Sequence, residues 1–304
     1  MNLIAVLGPT AGGKTSFAAH LAAELKTEVI SADSRQIYRG MDIGTGKDLQ
    51  DYFIDGKQIK CHLTDIVDAG VKYNLFEYQK EFFKVFVDMQ NRNLLPVLCG
   101  GTGLYLESVV RNYKLIDVPQ NPSLRQDLEK YSLSELKDML QKMKTLHNNT
   151  DTDTKKRAIR AIEIETFIKE NPMVVPSYPK IEPLIFGIKN PRDVEREKIA
   201  FRLKERLENG MVEEIEGLLK NGVSEETLIY YGLEYKFVTL YITGKLSYSE
   251  MQSLLEIAIC QFAKRQMTWF RRMERMGIKI NWIDGRLPME KKISFANDII
   301  NNCL

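Results

Sequence analysis

The first fifteen residues constrain the fold more than any other part of the sequence. Residues 3–7 form a short apolar run, and the next eight residues match the pattern G-x-x-x-x-G-K-[ST]. When such a segment follows a strand and opens a helix, its backbone N–H groups and the helix N-terminus form an anion site. Residues 16–25 have helical spacing, so we expect a phosphate or diphosphate ligand at Gly8, Pro9, Thr10, Ala11, Gly12, Gly13, Lys14 and Thr15.

Two side chains of this loop have predicted chemical roles. Lys14 would neutralise terminal phosphate oxygens, and the Thr15 hydroxyl would coordinate Mg²⁺, which bridges phosphates. The pattern does not say whether the phosphate belongs to ATP. A small-molecule or nucleotide kinase therefore stays open on this loop alone.

The alternation of apolar runs and helical segments predicts an α/β fold. Residues 28–31, 94–99 and 184–188 are strand-like runs, and the alternating residues 278–283 are a candidate last strand. We expect a P-loop NTPase-like parallel sheet core. Glycine disappears and Lys and Glu increase after about residue 118, with helical patterns at 124–131, 133–144 and 155–169. We expect a catalytic core over residues 1–115 and 183–304 and a helical insertion over 116–182.

Composition excludes several classes of protein. With 43 Lys+Arg and 41 Asp+Glu the net charge is only +2, which excludes a simple polybasic binder but not local basic patches. No run approaches the ~18 apolar residues of a membrane span. The four cysteines are scattered, which predicts neither a zinc site nor a disulfide framework. The N-terminus has no signal-peptide pattern, so we expect a cytoplasmic protein without membrane contact.

Polar residues follow the second predicted strand. Asp33 should lie at the carboxyl edge of the sheet, where ligands bind in open α/β sheets. There it could act as a general base or hold Mg²⁺ through water; as an alternative it only caps a turn. Arg35, Gln36 and Arg39 could bind a phosphate or a base edge, although such residues are often solvated.

Four motifs occur in a characteristic order. They are G-P-T-A-x-G-K-T at 8–15, D-S-R-Q-x-Y-x-G-M-D-I-G-T at 33–45, G-G-T-G-L-Y at 100–105 and A-K-R-Q-x-T-W-F-R at 263–271. Together they resemble the tRNA dimethylallyltransferase family, whose members isopentenylate adenosine 37 beside the anticodon. The resemblance extends from residue 3 to about residue 284.

This resemblance implies a reaction. Dimethylallyl diphosphate, rather than ATP, would occupy the phosphate loop, and N6 of a flipped-out adenine would attack C1 of the dimethylallyl group in tRNAs that read codons starting with U. Asp33 matches the family's general base, Thr102 its threonine near the bridging oxygen, and Arg202 its catalytic diphosphate-binding arginine. Mg²⁺ on Thr15 would help diphosphate to leave.

The resemblance also implies an RNA-binding surface. The partner would be the tRNA anticodon stem-loop, bound by a monomer through Asp33, Ser34, Arg35, Gln36, Thr102, Arg125, Lys156, Arg157, Ala158, Ile159 and Arg160. A second basic cluster lies on the predicted helix that carries the last motif: Lys264, Arg265, Arg271, Arg272 and Arg275. Without the resemblance, either cluster would more often be a solvated helix face. We expect the interleaved Phe262, Trp269 and Phe270 to be core residues.

Several residues depart from the family pattern. Gly12 stands where Ser is usual, and Lys156 where Gln is usual. Gly46-Lys47-Asp48 replaces A-K-P, and Glu234-Tyr235-Lys236 replaces a stretch that begins Gly-Tyr. Arg206 stands where an apolar residue is usual. It could be a second contact beside Arg202 or a solvated arginine, and we expect it to be solvated.

Two alternative functions compete with prenyl transfer. A kinase normally has a lid with arginines and an adenine pocket, and the motifs at 100–105 and 263–271 have no evident role in it. A non-catalytic RNA-binding protein would not need Lys14, Thr15 and Asp33 together.

Overall fold

The computed structural model describes residues 1–143, 152–171 and 178–303. The chain divides into two compact units: unit 1 comprises Met1–Tyr113 and Pro179–Leu304, and unit 2 comprises Lys114–Tyr178. From the sequence, the insertion was expected over residues 116–182. Parts of that prediction, residues 144–151 and 172–177, lie outside the described residues, as does the last residue of the helix predicted over 133–144.

Unit 1 alternates strands and helices as predicted, and the described elements of unit 2 are helices. The strands are β1 Leu3–Leu7, β2 Val29–Ser31, β3 Tyr38–Arg39, β4 Phe53–Ile54, β5 Lys57–Gln58, β6 Cys61–His62, β7 Val67–Asp68, β8 Val97–Gly100, β9 Pro183–Lys189 and β10 Asn281–Asp284. The helices are α1 Lys14–Glu24, α2 Leu75–Asn91, α3 Gly103–Val110, α4 Pro122–Leu128, α5 Leu133–Met143, α6 Lys155–Glu170, α7 Arg192–Glu208, α8 Met211–Lys220, α9 Glu225–Tyr231, α10 Leu233–Ile242, α11 Tyr248–Arg275 and α12 Met289–Asn301. A short 3-10 helix spans Leu49–Tyr52.

A parallel sheet forms the centre of unit 1. Within the described residues it has the order β10-β9-β1-β8-β2-β6, and every neighbouring pair is parallel. The predicted α/β fold with a parallel sheet is confirmed. All five residues of β1 are fully buried, as expected for a strand covered on both faces. The carboxyl ends of β1, β8 and β2 therefore lie at one edge of the sheet.

Two hydrophobic clusters stabilise unit 1. One lies between the sheet and helices α1 and α12, where Phe17 packs edge-on against Phe186 at 6.2 Å between ring centroids. The other joins α7 to α11 and contains fully buried Met211, Val238 and Leu255. The C-terminal helices thus share a packed hydrophobic cluster.

Two strand predictions differ slightly from the structure. The run 94–99 forms a strand only from Val97, because Pro96 has no N–H to donate; its carbonyl nevertheless accepts from the Ile4 N–H at 3.0 Å. The run 278–283 begins as a strand only at Asn281. Within the described residues, no helix is both long and apolar enough to cross a membrane.

A buried carboxylate organises unit 2. The side chain of Glu163, only 2 % exposed, accepts hydrogen bonds from the Asn121 N–H at 2.7 Å and from Arg125 Nη2 at 2.7 Å, and it also binds Arg160. Burial raises the pKa of Glu163, but these hydrogen bonds outweigh it and bring the pKa to about 2. The carboxylate therefore stabilises unit 2 in its charged form.

We expect Glu163→Gln to destabilise unit 2 by roughly 3 kcal/mol at neutral pH, because a pKa near 2 instead of 4.5 means that folding favours the charged form. This stability is fully present above the usual pKa and is lost as the pH falls towards 2. Amide hydrogen exchange of α4 and α6 in the full chain measures the loss at pH 7. Glu170→Gln, at the exposed end of α6, is the matched control. Equal protection in the two variants would contradict the prediction.

Candidate functional site

The phosphate loop connects β1 to α1 in a conformation suited to an anion. Gly13, immediately before α1, has φ 85°, which lets the chain turn sharply into the helix. Gly8 must lack a side chain, since a Cβ there would lie 2.6 Å from the Ile188 carbonyl oxygen. The loop borders a cavity of about 550 Å³, the phosphate-loop cavity, lined by Ala11, Gly12, Gly13, Lys14, Thr15, Ser16, Asp48, Asp51, Glu197, Lys198, Phe201, Arg202 and Glu205.

A second cavity, of about 470 Å³, lies beside the first, and we call it the Asp33 cavity. Lys14 lines both cavities. The residues of the Asp33 cavity come from the four motifs, from α7, from the end of α9 through the start of α10, and from α11: Thr10, Lys14, Asp33, Ser34, Arg35, Gly44, Thr45, Gly101, Thr102, Gly103, Leu104, Arg206, Tyr231, Gly232, Leu233, Glu234, Tyr235, Ile259, Phe262, Arg265, Gln266 and Trp269.

Lys14 contributes a cation to the lining of both cavities. Its Nζ lies 3.4 Å from the Pro9 carbonyl oxygen. Burial lowers the pKa of Lys14, and the nearby Cys99 and Asp33 act in the opposite direction. An anion bound in the loop would therefore stabilise the charged form of this lysine.

Backbone pairing at the sheet edge brings Asp33 and Thr102 together. The Ala32 N–H donates to the Cys99 carbonyl at 2.7 Å, and the Thr102 N–H donates to the Ala32 carbonyl at 3.3 Å. The Ser34 N–H donates to Thr102 Oγ1 at 3.0 Å. Asp33 Oδ1 accepts from the Arg35 N–H at 2.9 Å, and in the described part of the chain Oδ2 has no hydrogen-bond partner. Asp33 thus caps a turn and still offers one oxygen to the cavity.

Gln266 connects the motif at 263–271 to the phosphate loop through hydrogen bonds. The sequence did not predict this role. Its Oε1 accepts from the Thr10 N–H at 2.8 Å, and its Nε2 donates to the Gly101 carbonyl at 2.9 Å. A Cβ on Gly101 would collide with this amide. Gln266 stands in the motif 263–271, but no local pattern shows which backbone groups its amide bonds.

Arg202 and Arg206 lie on successive turns of α7 and share a carboxylate. Arg202 forms an ion pair with Asp48 in the phosphate-loop cavity. Burial and the neighbouring Arg206 lower the pKa of Arg202. The expectation of a solvated Arg206 is wrong: its side chain is 16 % exposed and lies 3.7 Å from Asp48 and 3.9 Å from Glu234.

A loop beside the Asp33 cavity is held by another residue that the sequence did not reveal. Glu214 on α8 accepts from the N–H groups of Asp42 and Ile43, each at 2.7 Å, and from that of Gly44 at 3.0 Å. The Tyr235 hydroxyl donates to the same carboxylate at 2.7 Å. This carboxylate fixes the segment of the second motif that faces α10.

The basic cluster of α11 is divided between two faces of the helix. Arg265 lines the Asp33 cavity, whereas Lys264 and Arg271 line a separate cavity of about 650 Å³. Phe270 is fully buried, as expected of a core residue. The same expectation is wrong for Phe262, which is 38 % exposed and lines the Asp33 cavity.

Trp269 also differs from the expected core residue, because it is half-buried and lines the Asp33 cavity. Its ring lies over Gly103, where a Cβ would be 2.5 Å from the indole. The Arg272 guanidinium lies 5.1 Å from its ring centroid.

The residues predicted to contact tRNA differ in exposure. Gln36 is buried and donates to the Gly46 carbonyl at 2.9 Å, which assigns its side chain to the loop rather than to a surface. Ala158 and Ile159 belong to the hydrophobic core of unit 2, so their side chains offer no surface to an RNA. Lys156 and Arg157 are exposed, and Arg157 pairs with Asp153.

Arg125 and Arg160 are only partly available to an RNA. Both bind Glu163, and their side chains are 32 % and 38 % exposed. Arg160 Nη2 also donates to the Val118 carbonyl at 2.8 Å. Part of each guanidinium is thus used to hold unit 2 together.

Comparison with known proteins identifies the family of this chain. The family model described as IPP transferase matches residues 36–273, most of the chain. The chain belongs to the IPP transferase family. A relative in this family, tRNA dimethylallyltransferase 1 of Parabacteroides distasonis, is 61 % identical over 303 residues, which cover 100 % of this chain and 99 % of the relative. Another, tRNA dimethylallyltransferase 2 of Bacteroides fragilis, is 60 % identical over 97 % of this chain and 96 % of its own length.

A solved structure of the family has the same fold. The full-length tRNA isopentenylpyrophosphate transferase of Bacillus halodurans superposes with a TM-score of 0.72 at 31 % identity, covering 99 % of this chain and 96 % of that protein. The family assignment therefore rests on both sequence and structure.

We expect Gln266→Leu to weaken binding of inorganic pyrophosphate about tenfold, because the phosphate loop and the turn at Gly101 lose the side chain that hydrogen-bonds to both. The two lost hydrogen bonds should also cost about 2 kcal/mol of stability. Calorimetric titration with pyrophosphate and thermal unfolding measure the two effects. Gln261→Leu, an exposed glutamine on the same helix, is the control. Unchanged pyrophosphate affinity in Gln266→Leu would show that the tie does not support the loop.

Proposed function

We propose that this chain transfers a dimethylallyl group from dimethylallyl diphosphate to N6 of adenosine 37 in tRNAs that read codons starting with U. The products are N6-isopentenyladenosine and diphosphate. One observation carries the proposal: the phosphate loop and the free oxygen of Asp33 face adjoining cavities that share Lys14. A diphosphate in the first cavity and an adenine in the second would bring the reacting atoms together.

On the donor side, the protein stabilises a leaving group. The bond between C1 and the bridging oxygen breaks, and diphosphate keeps the electron pair. The loop N–H groups and Lys14 lie where this charge develops, and Arg202 lines the same cavity. The phosphate loop of a kinase would bind phosphate equally well, so the loop alone does not distinguish prenyl transfer from phosphoryl transfer.

On the acceptor side, the protein removes a proton. The N6 lone pair forms the new bond to C1, and an N6 proton moves to Asp33 Oδ2, so that charge balances. Thr102 lines the same cavity, where its Oγ1 accepts from the Ser34 N–H at 3.0 Å and donates to Ser34 Oγ at 3.3 Å. We assign Asp33 as the general base and Thr102 as a contact to the substrates at the point of transfer.

The donor set beside the loop fits a Mg²⁺ ion. The Thr15 hydroxyl and the Asp51 carboxylate line the phosphate-loop cavity, and oxygen ligands are those that Mg²⁺ prefers. Bound there with the diphosphate oxygens, the ion would supply additional positive charge against the leaving group. Mg²⁺ as cofactor, a monomeric state and a cytoplasmic location stay predictions.

The direct test is incubation with labelled dimethylallyl diphosphate, Mg²⁺ and an anticodon stem-loop that carries the target adenosine, followed by nucleoside analysis. We expect Asp33→Asn to slow transfer by ~10²–10⁴-fold, the usual contribution of a general base. Its affinities for stem-loop and pyrophosphate should stay within threefold. Asp298→Asn, an exposed carboxylate on α12, is the control.

Two outcomes would contradict this assignment. Equal loss of binding and turnover in Asp33→Asn would make Asp33 a structural residue. Thermal stabilisation of the wild-type chain by ATP but not by dimethylallyl diphosphate would favour the kinase.

We expect Lys156→Ala combined with Arg157→Ala to raise the KM for the stem-loop. The slope of log affinity against log salt should become shallower by about two, because each residue lost removes one phosphate contact. Both side chains are exposed on α6, so the change should leave the fold intact. The slope of log affinity against log salt is measured. Lys84→Ala combined with Lys220→Ala removes two exposed lysines of unit 1 as a control. Equal slopes for both double variants would remove Lys156 and Arg157 from the interface.

A further inference from the structure

Three charged residues that depart from the family pattern lie together between the two cavities. Arg206 lies 3.7 Å from Asp48 on one side and 3.9 Å from Glu234 on the other. They come from α7, from the residue before the 3-10 helix and from the second residue of α10. These three residues therefore form one cluster of charge that belongs to the site.

Asp48 already binds the Arg202 guanidinium, a group that a diphosphate needs. It forms an ion pair with Arg202, and both residues line the phosphate-loop cavity. The Nη2 group of Arg202 that binds the Asp48 carboxylate cannot give the same N–H to a phosphate oxygen at the same time. A diphosphate that takes up this N–H therefore displaces Asp48 from Arg202, and the displaced carboxylate then lies next to another anion.

Arg206 is placed to receive the displaced carboxylate. Its guanidinium contacts its two carboxylates only at 3.7 and 3.9 Å, and within the described ranges it donates no hydrogen bond. Its side chain is 16 % exposed and packs on Gly46, where a Cβ would collide with Nη2. Arg206 is thus fixed in position, and its N–H groups are available to donate hydrogen bonds.

Asp48, by contrast, has freedom to move. Its side chain is 38 % exposed, and its backbone is left-handed with φ 42° and ψ 53°, a conformation that aspartate tolerates better than most residues. A small rotation of its side chain would shorten the 3.7 Å contact to Arg206 and release Arg202.

We propose that Arg206 is a positioning residue that takes Asp48 from Arg202 when a diphosphate enters the phosphate-loop cavity. Before binding, Asp48 holds Arg202 in place. After binding, Arg202 contacts the diphosphate, and the carboxylate of Asp48 is neutralised by Arg206 instead of repelling the ligand. The diphosphate as ligand rests on the proposed function.

A double-mutant cycle on the full chain tests this handover. Calorimetry with inorganic pyrophosphate and saturating Mg²⁺ gives dissociation constants for the wild type, Asp48→Asn, Arg206→Met and the double variant. Methionine keeps an unbranched side chain but removes the charge and the guanidinium that packs on Gly46. Should it fail to fold, Arg206→Gln serves in the same cycle, and thermal unfolding reports on folding in each case.

We expect coupling between the two sites. Arg206→Met should weaken the binding of pyrophosphate about tenfold. Adding Asp48→Asn to this variant should restore the affinity to within threefold of the wild type. Asp48→Asn alone should tighten binding no more than threefold. Arg206→Lys should stay near the wild type, since it keeps a charge for Asp48. In steady-state transfer, Arg206→Met should raise the donor KM about tenfold with kcat within threefold, which a structural defect would not do.

Three results would overturn the handover. Equal effects of Asp48→Asn in both backgrounds would mean that Arg206 attracts the diphosphate directly. Weaker binding in Asp48→Asn would mean that Asp48 holds the ligand or its cation. A fall in kcat with unchanged KM in Arg206→Met would place Arg206 in the chemical step.

The cycle is separable from the proposed function, because pyrophosphate binding requires no prenyl transfer. Coupling in a chain that fails to modify the stem-loop would support the handover and refute the transfer. Additive effects in a chain that does modify it would refute only the handover.

Discussion

The parallel pairing of β1, β8 and β2 is the constraint on which the site depends. This pairing places the ends of three strands at one edge, so that the phosphate loop, the turn at Gly101 and Asp33 adjoin one another. The hydrogen bonds of Ala32 to Cys99 and of Thr102 to Ala32 continue the pairing beyond the strands. A shift in this register would separate the anion site from the carboxylate, whatever their local conformations.

The C-terminal helices complete a site that the sheet alone leaves open. Gln266 connects α11 to the phosphate loop and to Gly101, and Trp269 packs on Gly103. Glu214 on α8 holds the loop that contains Ile43. The helical layer therefore has two functions: it buries apolar surface, and it sets the positions of the polar groups around the two cavities.

Charge at the site is balanced by shared partners rather than by isolated pairs. Asp48 is close to both Arg202 and Arg206, and Arg206 also faces Glu234. In unit 2, Glu163 similarly binds both Arg125 and Arg160. Such sharing explains how a chain with a net charge of only +2 presents several cations to anionic ligands while few of its buried charges lack a partner.

The sequence by itself determined the features that are encoded locally: the buried strands, the phosphate loop, Asp33 after the second strand and the helical pattern of the insertion. Of the three aromatic residues that it predicted in the core, only Phe270 is fully buried, whereas Phe262 and Trp269 line a cavity. Partners distant along the chain were decided by the tertiary structure alone. Arg206 was expected in solvent because no local pattern links it to Asp48, 158 residues earlier, and the bonds of Gln266 to Thr10 and Gly101 were missed for the same reason. Hydrogen bonds and ion pairs act over a few ångströms, so their partners are fixed only when packing brings distant segments together.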